Sequence, residues 1–312
     1  MFRHNGMDNI LVRRYQQRVG SSSLQGLFRF CWQSHPSDKL RYSQTMKRAF
    51  RFTFLTTHLL ATVLLLVSGC AVVPETGRSQ LLLVSPGEEV KLGITEFEKL
   101  KTESKISRDA HTQAILQKVG QRIASVVDLP NARWEFVLFD DADTANAFCL
   151  PGGKVGVYTG ILPITRDETG LATVIGHEVA HAVARHGAER ISEGLVLQLG
   201  GELLNAALQS KPSQTNSLVM AAYGLGSQVG YMLPHSRGQE LEADYLGLLY
   251  MARAGYDPRK SVDFWERFRA KSKGKTPEFL STHPLDDTRI AQLKKHMPQA
   301  MAEYEKAIRI RR

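Results

Sequence analysis

Hydrophobic and polar positions divide the chain into stretches of different periodicity. Residues 52–69 form a nearly continuous apolar run. The short stretches Trp134–Phe139, Asn146–Leu150 and Lys154–Tyr158 read as strands, the last two around a Pro151-Gly152-Gly153 turn. From Asp167 onward the pattern is helical. Further upstream, Ser85-Pro86-Gly87-Glu88-Glu89 has the form of a helix start: a capping Ser, a Pro in the first turn, and acids at the positive end of the dipole. The pattern predicts a helix from there to about Ser104 and a second over about Arg108–Val127, broken by Leu129-Pro130. A long helix is expected from Asp167 to about Arg185, stopping near Gly187. Helices are then expected at about 190–209, 215–232, 239–253, 258–271 and 285–308. Few strands followed by many helices, with no strand–helix alternation, predict a mainly helical α+β domain with a small sheet.

Composition and charge change the picture at the N-terminus. The 312-residue chain carries a formal charge of +9, but residues 1–69 hold ten Lys/Arg against only two acids. The rest is close to neutral, so no basic patch for nucleic acid is expected on the folded domain. Lys47, Arg48 and Arg51 precede the apolar run, the layout of a secretory signal. The run ends in Val67-Ser68-Gly69-Cys70, small residues before a Cys, which resembles a bacterial lipobox with Cys70 lipidated. A retained membrane anchor is the alternative. Ala71 after the Cys resembles an outer-membrane sorting signal. The expectation is therefore an outer-membrane lipoprotein facing the periplasm, with inner-membrane anchoring as the alternative. The domain division follows: 1–45 an over-extended start ahead of Met46 or a disordered extension, 46–69 a signal peptide, 70–80 a lipidated tether, and 81–312 the functional domain. Cys31, Cys70 and Cys149 show no paired spacing, and no disulfide scaffold is expected. The oligomeric state is left open.

The chemistry centres on His177-Glu178-Val179-Ala180-His181. On a helix, residues four apart lie one turn apart on one face, so both imidazoles can reach one zinc ion. Glu178 lies one step round, beside a zinc-bound water whose proton it can take as general base. Leu171, Val174, Ile175 and Val183 embed the motif in an apolar helix, where two histidines and a glutamate need partners.

A catalytic zinc needs a third protein ligand and an open position. The metzincin spacing fails: it needs Gly at 184 and His at 187, where the chain has Ala184 and Gly187. The best downstream candidate is Glu240, with Asp244 one turn further on the same face to hold a ligand His by a hydrogen bond. Glu242 lies about 200° round and faces away. The plainer reading is a solvated acidic helix start. His283, before Pro284, is expected either to stabilise the oxyanion or to fill zinc's fourth position as a latch. His186 reads as structural, at the far end of the motif helix. Residues 194–233 could cover the cleft or touch a membrane surface, and the strands around Phe148–Leu150 could include an edge that pairs with substrate.

The motif together with Glu240-x-x-Ala243-Asp244 resembles the gluzincin peptidase family of the CAAX prenyl proteases, HtpX, mitochondrial Oma-type proteases and periplasmic lipoprotein proteases. Asn146-Ala147-Phe148, Pro151-Gly152-Gly153, Ala184-Arg185-His186, Gly255-Tyr256-Asp257-Pro258 and Thr282-His283-Pro284-Leu285 carry the same resemblance. The likeness covers about residues 75–300 and is nearest to the lipoprotein branch. It implies a zincin-like catalytic domain, one Zn2+ per chain, Glu240 as third ligand, and protein or peptide substrates. The function expected is a zinc metalloendopeptidase acting on misfolded or envelope proteins, held to a membrane by its N-terminal lipid. The rival is a zinc-bound chaperone or assembly factor for outer-membrane proteins, which needs the fold but not Glu178.

Overall fold

The computed structural model describes residues 70–208, 236–271 and 287–310, with Thr53, Phe279 and His283. The 1–45 extension, the 46–69 leader apart from Thr53, and the helix expected over 215–232 lie outside the described residues. Residues Gly69–Arg312 form one compact unit. Among the described residues no helix is long and apolar enough to cross a membrane.

Residues 70–80, expected as a tether, instead form a hairpin. Strand β1 (Cys70–Val72) pairs antiparallel with β2 (Ser79–Leu81). The turn closes where Val73 N donates to Arg78 O at 2.9 Å and Gly77 adopts a positive φ of 73°. Val73 is fully buried, which ties the hairpin to the body. Three-residue strands are too short for alternation to reveal them.

Helix α1 (Pro86–Glu103) starts on a capping box between Ser85 and Glu88, as the sequence predicts. Helix α2 (Ala110–Ala124) is capped by Asp109. Strands β3 (Glu135–Phe139), β4 (Ala147–Leu150) and β5 (Lys154–Tyr158) make one sheet in the order β3-β5-β4. β5 is central: it runs parallel to β3 and antiparallel to β4, with Phe136 opposite Val155 and Cys149 opposite Val155 from the other side. The β4–β5 turn needs φ > 0 at both Gly152 (85°) and Gly153 (77°), which is why glycine stands at both positions.

A short helix α3 (Leu162–Thr165) leads to α4 (Glu168–Val183), which carries the His-Glu motif. Then come α5 (His186–Leu208), α6 (Arg237–Arg253), α7 (Arg259–Lys271) and α8 (Asp287–Ile310). α4 is buried on all sides from Gly170 to Ala182, so its pattern is nearly continuous rather than one-faced. It packs between α2, β4 and α6, and α6 packs in turn on α8. The core runs through Leu171, Ile175 and Val179 of α4 and Leu246, Leu249 and Tyr250 of α6. The mainly helical α+β zincin-like architecture is as expected.

Candidate metal centre

α4 begins where the Asp167 side chain accepts from Gly170 N at 2.8 Å. Its buried path carries His177 and His181 to the middle of the molecule. α6 begins on a second capping box, Ser236 with Gln239, which places Glu240 in its first turn. His283 arrives from the segment ahead of α8, its ring stacked on Phe279 at 4.4 Å between centroids.

These elements bring His177, His181, Glu240 and His283 together, with one ligand-capable atom from each lying within 4.8 Å of all the others. All four are buried. His177 Nε2 lies 3.1 Å from His181 Nε2 and 3.4 Å from Glu240 Oε2, and His181 Nε2 lies 3.3 Å from Glu240 Oε1. Tetrahedral ligands on bonds of 2.0–2.1 Å stand roughly 3.3 Å apart. The three side chains are thus spaced as zinc ligands are, and their nitrogen and oxygen donors suit that ion. His283 Nδ1 is 2.9 Å from Glu240 Oε1 and 3.3 Å from His177 Nε2, which puts it at ligand separation too.

The electrostatics point the same way. Burial pushes Glu240 up, but His283, His177 and His181 outweigh it and hold the carboxyl well below its ordinary value. Burial works against a charged His177, yet Asp244 and Glu240 overcome it and lift its pKa to about 9. The cluster favours positive charge at its centre, which a divalent cation would supply. Glu178 is buried beside it, and burial raises its carboxyl above the ordinary range. Its Oε1 makes no hydrogen bond, and His283 Nε2 approaches it at 3.6 Å. A carboxylate held in this way is suited to take a proton.

Asp244 lies where the sequence places it, with Oδ1 3.0 Å from His177 Nδ1. What the sequence did not reveal is Arg289 of α8. It grips both Asp244 oxygens at 2.7 Å, reaches Glu240 Oε2 at 2.7 Å, and lies over the Trp265 ring at 4.3 Å. Its only sequence signal is a cation set beside the apolar positions Ile290 and Leu293.

Glu242 does face away from the cluster, but it is buried rather than solvated. It meets His186 Nε2 at 2.9 Å and Arg78 Nε at 2.6 Å, and accepts from Thr76 Oγ1. Cys149 is a free thiol, half-buried, whose pKa burial pushes up. Cys70 opens β1, and its side chain lies outside the described residues.

Two histidines one helical turn apart, a glutamate between them and a carboxylate from a second helix are the site of one class of zinc-dependent metallopeptidases. Within that class the chain belongs to Peptidase family M48, whose pattern matches residues 110–297. It is 32% identical over 293 residues to the mitochondrial metalloendopeptidase OMA1 of Saccharomyces cerevisiae, covering 85% of this chain and 82% of that one. To the metalloendopeptidase OMA1 of Homo sapiens it is 30% identical over 289 residues, covering 86% of this chain and 54% of that one. To the beta-barrel assembly-enhancing protease of Escherichia coli it is 26% identical over 231 residues, covering 72% and 47%. The chain spans about half the length of most of these curated relatives.

The expected location in a bacterial outer membrane, facing the periplasm, does not stand. The relatives from two yeasts, a plant, cattle and human are mitochondrial endopeptidases, and they match at higher identity than the bacterial protein. A few small residues before a Cys make a weak signal, and an apolar run after basic residues serves more than one kind of leader.

Proposed function

We propose that the protein is a zinc metalloendopeptidase that cleaves extended segments of other proteins, with His177, His181 and Glu240 as ligands and Glu178 as general base. The observation that carries this reading is the tetrahedral spacing of three donors beside a buried carboxylate with a free oxygen. When bound, zinc polarises the scissile carbonyl and acidifies the attacking water. Glu178 accepts the proton of that water and passes it to the leaving amine. Asp244 keeps the His177 ring oriented, and Arg289 pairs with Asp244 behind that ligand and reaches Glu240. His283 acts as a latch from the fourth ligand position. β4 is an edge strand among the described residues of its sheet and packs against α4, which supports a role for it in pairing with substrate backbone. Misfolded proteins, whose segments are extended, are the substrates this arrangement suits.

Similarity to the OMA1 proteins supports a mitochondrial location. The basic, acid-poor residues 1–45 fit an import leader, and the apolar run 52–69 fits attachment to a membrane. Cys70→Ser separates two forms of attachment: release from the membrane fraction assigns a lipid on Cys70, and retention assigns the run as a span.

The deciding experiment is digestion of casein or an unfolded protein by wild type and Glu178→Gln, with zinc measured in both. Loss of cleavage by several orders of magnitude with zinc retained is expected. Equal cleavage by the variant would overturn the mechanism, and cleavage by neither protein nor by the unlatched His283→Ala would favour the chaperone reading.

A further inference from the structure

The two histidines of the motif are held from behind in different ways. His177 Nδ1 faces a carboxylate directly, whereas His181 Nδ1 faces another imidazole, His186 Nδ1, at 2.8 Å. His186 is completely buried. Its other nitrogen, Nε2, lies 2.9 Å from Glu242 Oε2. Glu242 accepts from Arg78 Nε at 2.6 Å, and Arg78 forks onto Glu189 at 2.6 and 2.8 Å. Gln239 Nε2 also donates to Glu189, at 2.7 Å.

Donor counting gives this chain one direction. Two imidazole nitrogens 2.8 Å apart need one proton between them. Glu242, taken as an acceptor by Arg78 and Thr76, calls for a donor from His186, so His186 carries its proton on Nε2. On a neutral His186 ring Nδ1 is then an acceptor, and His181 supplies the proton from Nδ1. That leaves the lone pair of His181 on Nε2, the atom that faces His177 and Glu240. We propose that His186, held by Glu242 and Arg78, is a positioning residue that fixes the ring orientation and tautomer of His181 for zinc.

The backbone is shaped to deliver this contact. Arg185 has a positive φ of 58°, a conformation costly for a residue with a side chain. It ends α4 and turns the chain so that His186 comes back against His181, only five residues away. Arg185 Nε donates to Glu89 at 2.7 Å and Nη2 to Val84 O at 3.1 Å, which hold the turn in place. The support of His181 thus draws on the β1–β2 hairpin through Thr76 and Arg78, on α5 through His186 and Glu189, and on α6 through Glu242.

The inference rests on His181 being a zinc ligand, and the test separates the two. Zinc dissociation constants are measured by chelator competition on the full chain for wild type, His181→Ala, His186→Leu, His186→Asn and Glu242→Gln, with melting of each zinc-free protein. Loss of an outer partner of a ligand costs about 10–100-fold in metal affinity. His186→Leu is expected to weaken zinc binding by at least tenfold. His186→Asn, which can still accept from His181 Nδ1, is expected to recover most of that loss. Glu242→Gln, which keeps the size of the side chain but weakens its hold on His186 together with its contacts to Arg78 and Thr76, is expected to fall between them. If His181→Ala leaves zinc affinity unchanged, the ligand assignment fails. If His181→Ala weakens binding while His186→Leu changes it less than tenfold, or if Asn recovers nothing over Leu, the positioning role is overturned. Should His186→Leu fail to fold, Glu242→Gln decides alone: an unchanged dissociation constant overturns the proposal.

Discussion

Gly176 of α4 and Gly247 of α6 meet backbone to backbone. A Cβ on Gly247 would stand 2.8 Å from His177 N, and one on Gly176 would stand 2.9 Å from Gly247 O. This close approach sets the distance between the helix bearing the two histidines and the helix bearing Glu240. Gly247→Ala must push the helices apart. Overpacking of this kind costs typically about 1–3 kcal/mol. A drop of that size in urea unfolding, together with weaker zinc binding, is expected. An unchanged midpoint would mean that the helices separate freely and do not set the site.

Removing a ligand and removing its counter-charge should give different phenotypes. Glu240→Ala takes one donor from the cluster, and the purified protein is expected to lose stoichiometric zinc. Arg289→Met keeps every donor but leaves Asp244 buried without its cation. Breaking a buried pair from one side costs roughly 3–5 kcal/mol. Unfolding curves and metal analysis on both variants check this, and a zinc-free but fully stable Arg289→Met protein would reverse the assignment.

His283 sits at ligand separation from His177 and Glu240, the spacing that the proposed latch requires. His283→Ala is expected to raise peptidase activity on an unfolded substrate. A fall of about a hundredfold or more would assign it instead to the oxyanion. A variant unchanged in both activity and zinc affinity would remove His283 from the site.

Acid stability should report on Glu242. Burial pushes its carboxyl up, but His186, Thr76 and Arg78 outweigh burial and bring its pKa down to about 2 from an ordinary 4.5. A carboxyl depressed in the folded state adds stability that is complete above its unfolded pKa and is lost as pH falls toward its folded one. The contribution of Glu242 should therefore disappear between about pH 4.5 and about pH 2. In zinc-free protein, Glu242→Gln is expected to be less stable than wild type near neutrality and to lose less on acidification. Parallel pH profiles for the two proteins would contradict this.

What the sequence revealed of the site lies within single helices. His177, Glu178 and His181 share one helix, and Glu240 and Asp244 share another, so spacing alone orders them. Among the described residues, the longer helices and the three strands of the larger sheet were legible for the same reason. The 70–81 hairpin was not, because its strands are three residues each. Arg289 was missed because it reaches Asp244 across 45 residues of chain, and Arg78 reaches Glu242 across 164. Only packing of separate elements makes those contacts. The direction of Glu242 followed correctly from helical geometry, but what it meets there depends on the hairpin. The return of His186 onto His181 was hidden because an arginine, not a glycine, occupies the left-handed position at the end of α4.

The proposed support of His181 by His186 puts the β1–β2 hairpin and the metal site in one thermodynamic cycle. Thr76 and Arg78 hold Glu242, Glu242 holds His186, and His186 meets a motif histidine. Coupling between two such events is reciprocal, so whatever the closed hairpin adds to zinc affinity, zinc adds to closure of the hairpin. Amide exchange at Val73 and Gly77, whose N–H groups close the turn, would then slow when zinc is added. A force or a partner that opens the segment just after Cys70 would loosen the metal by the same measure.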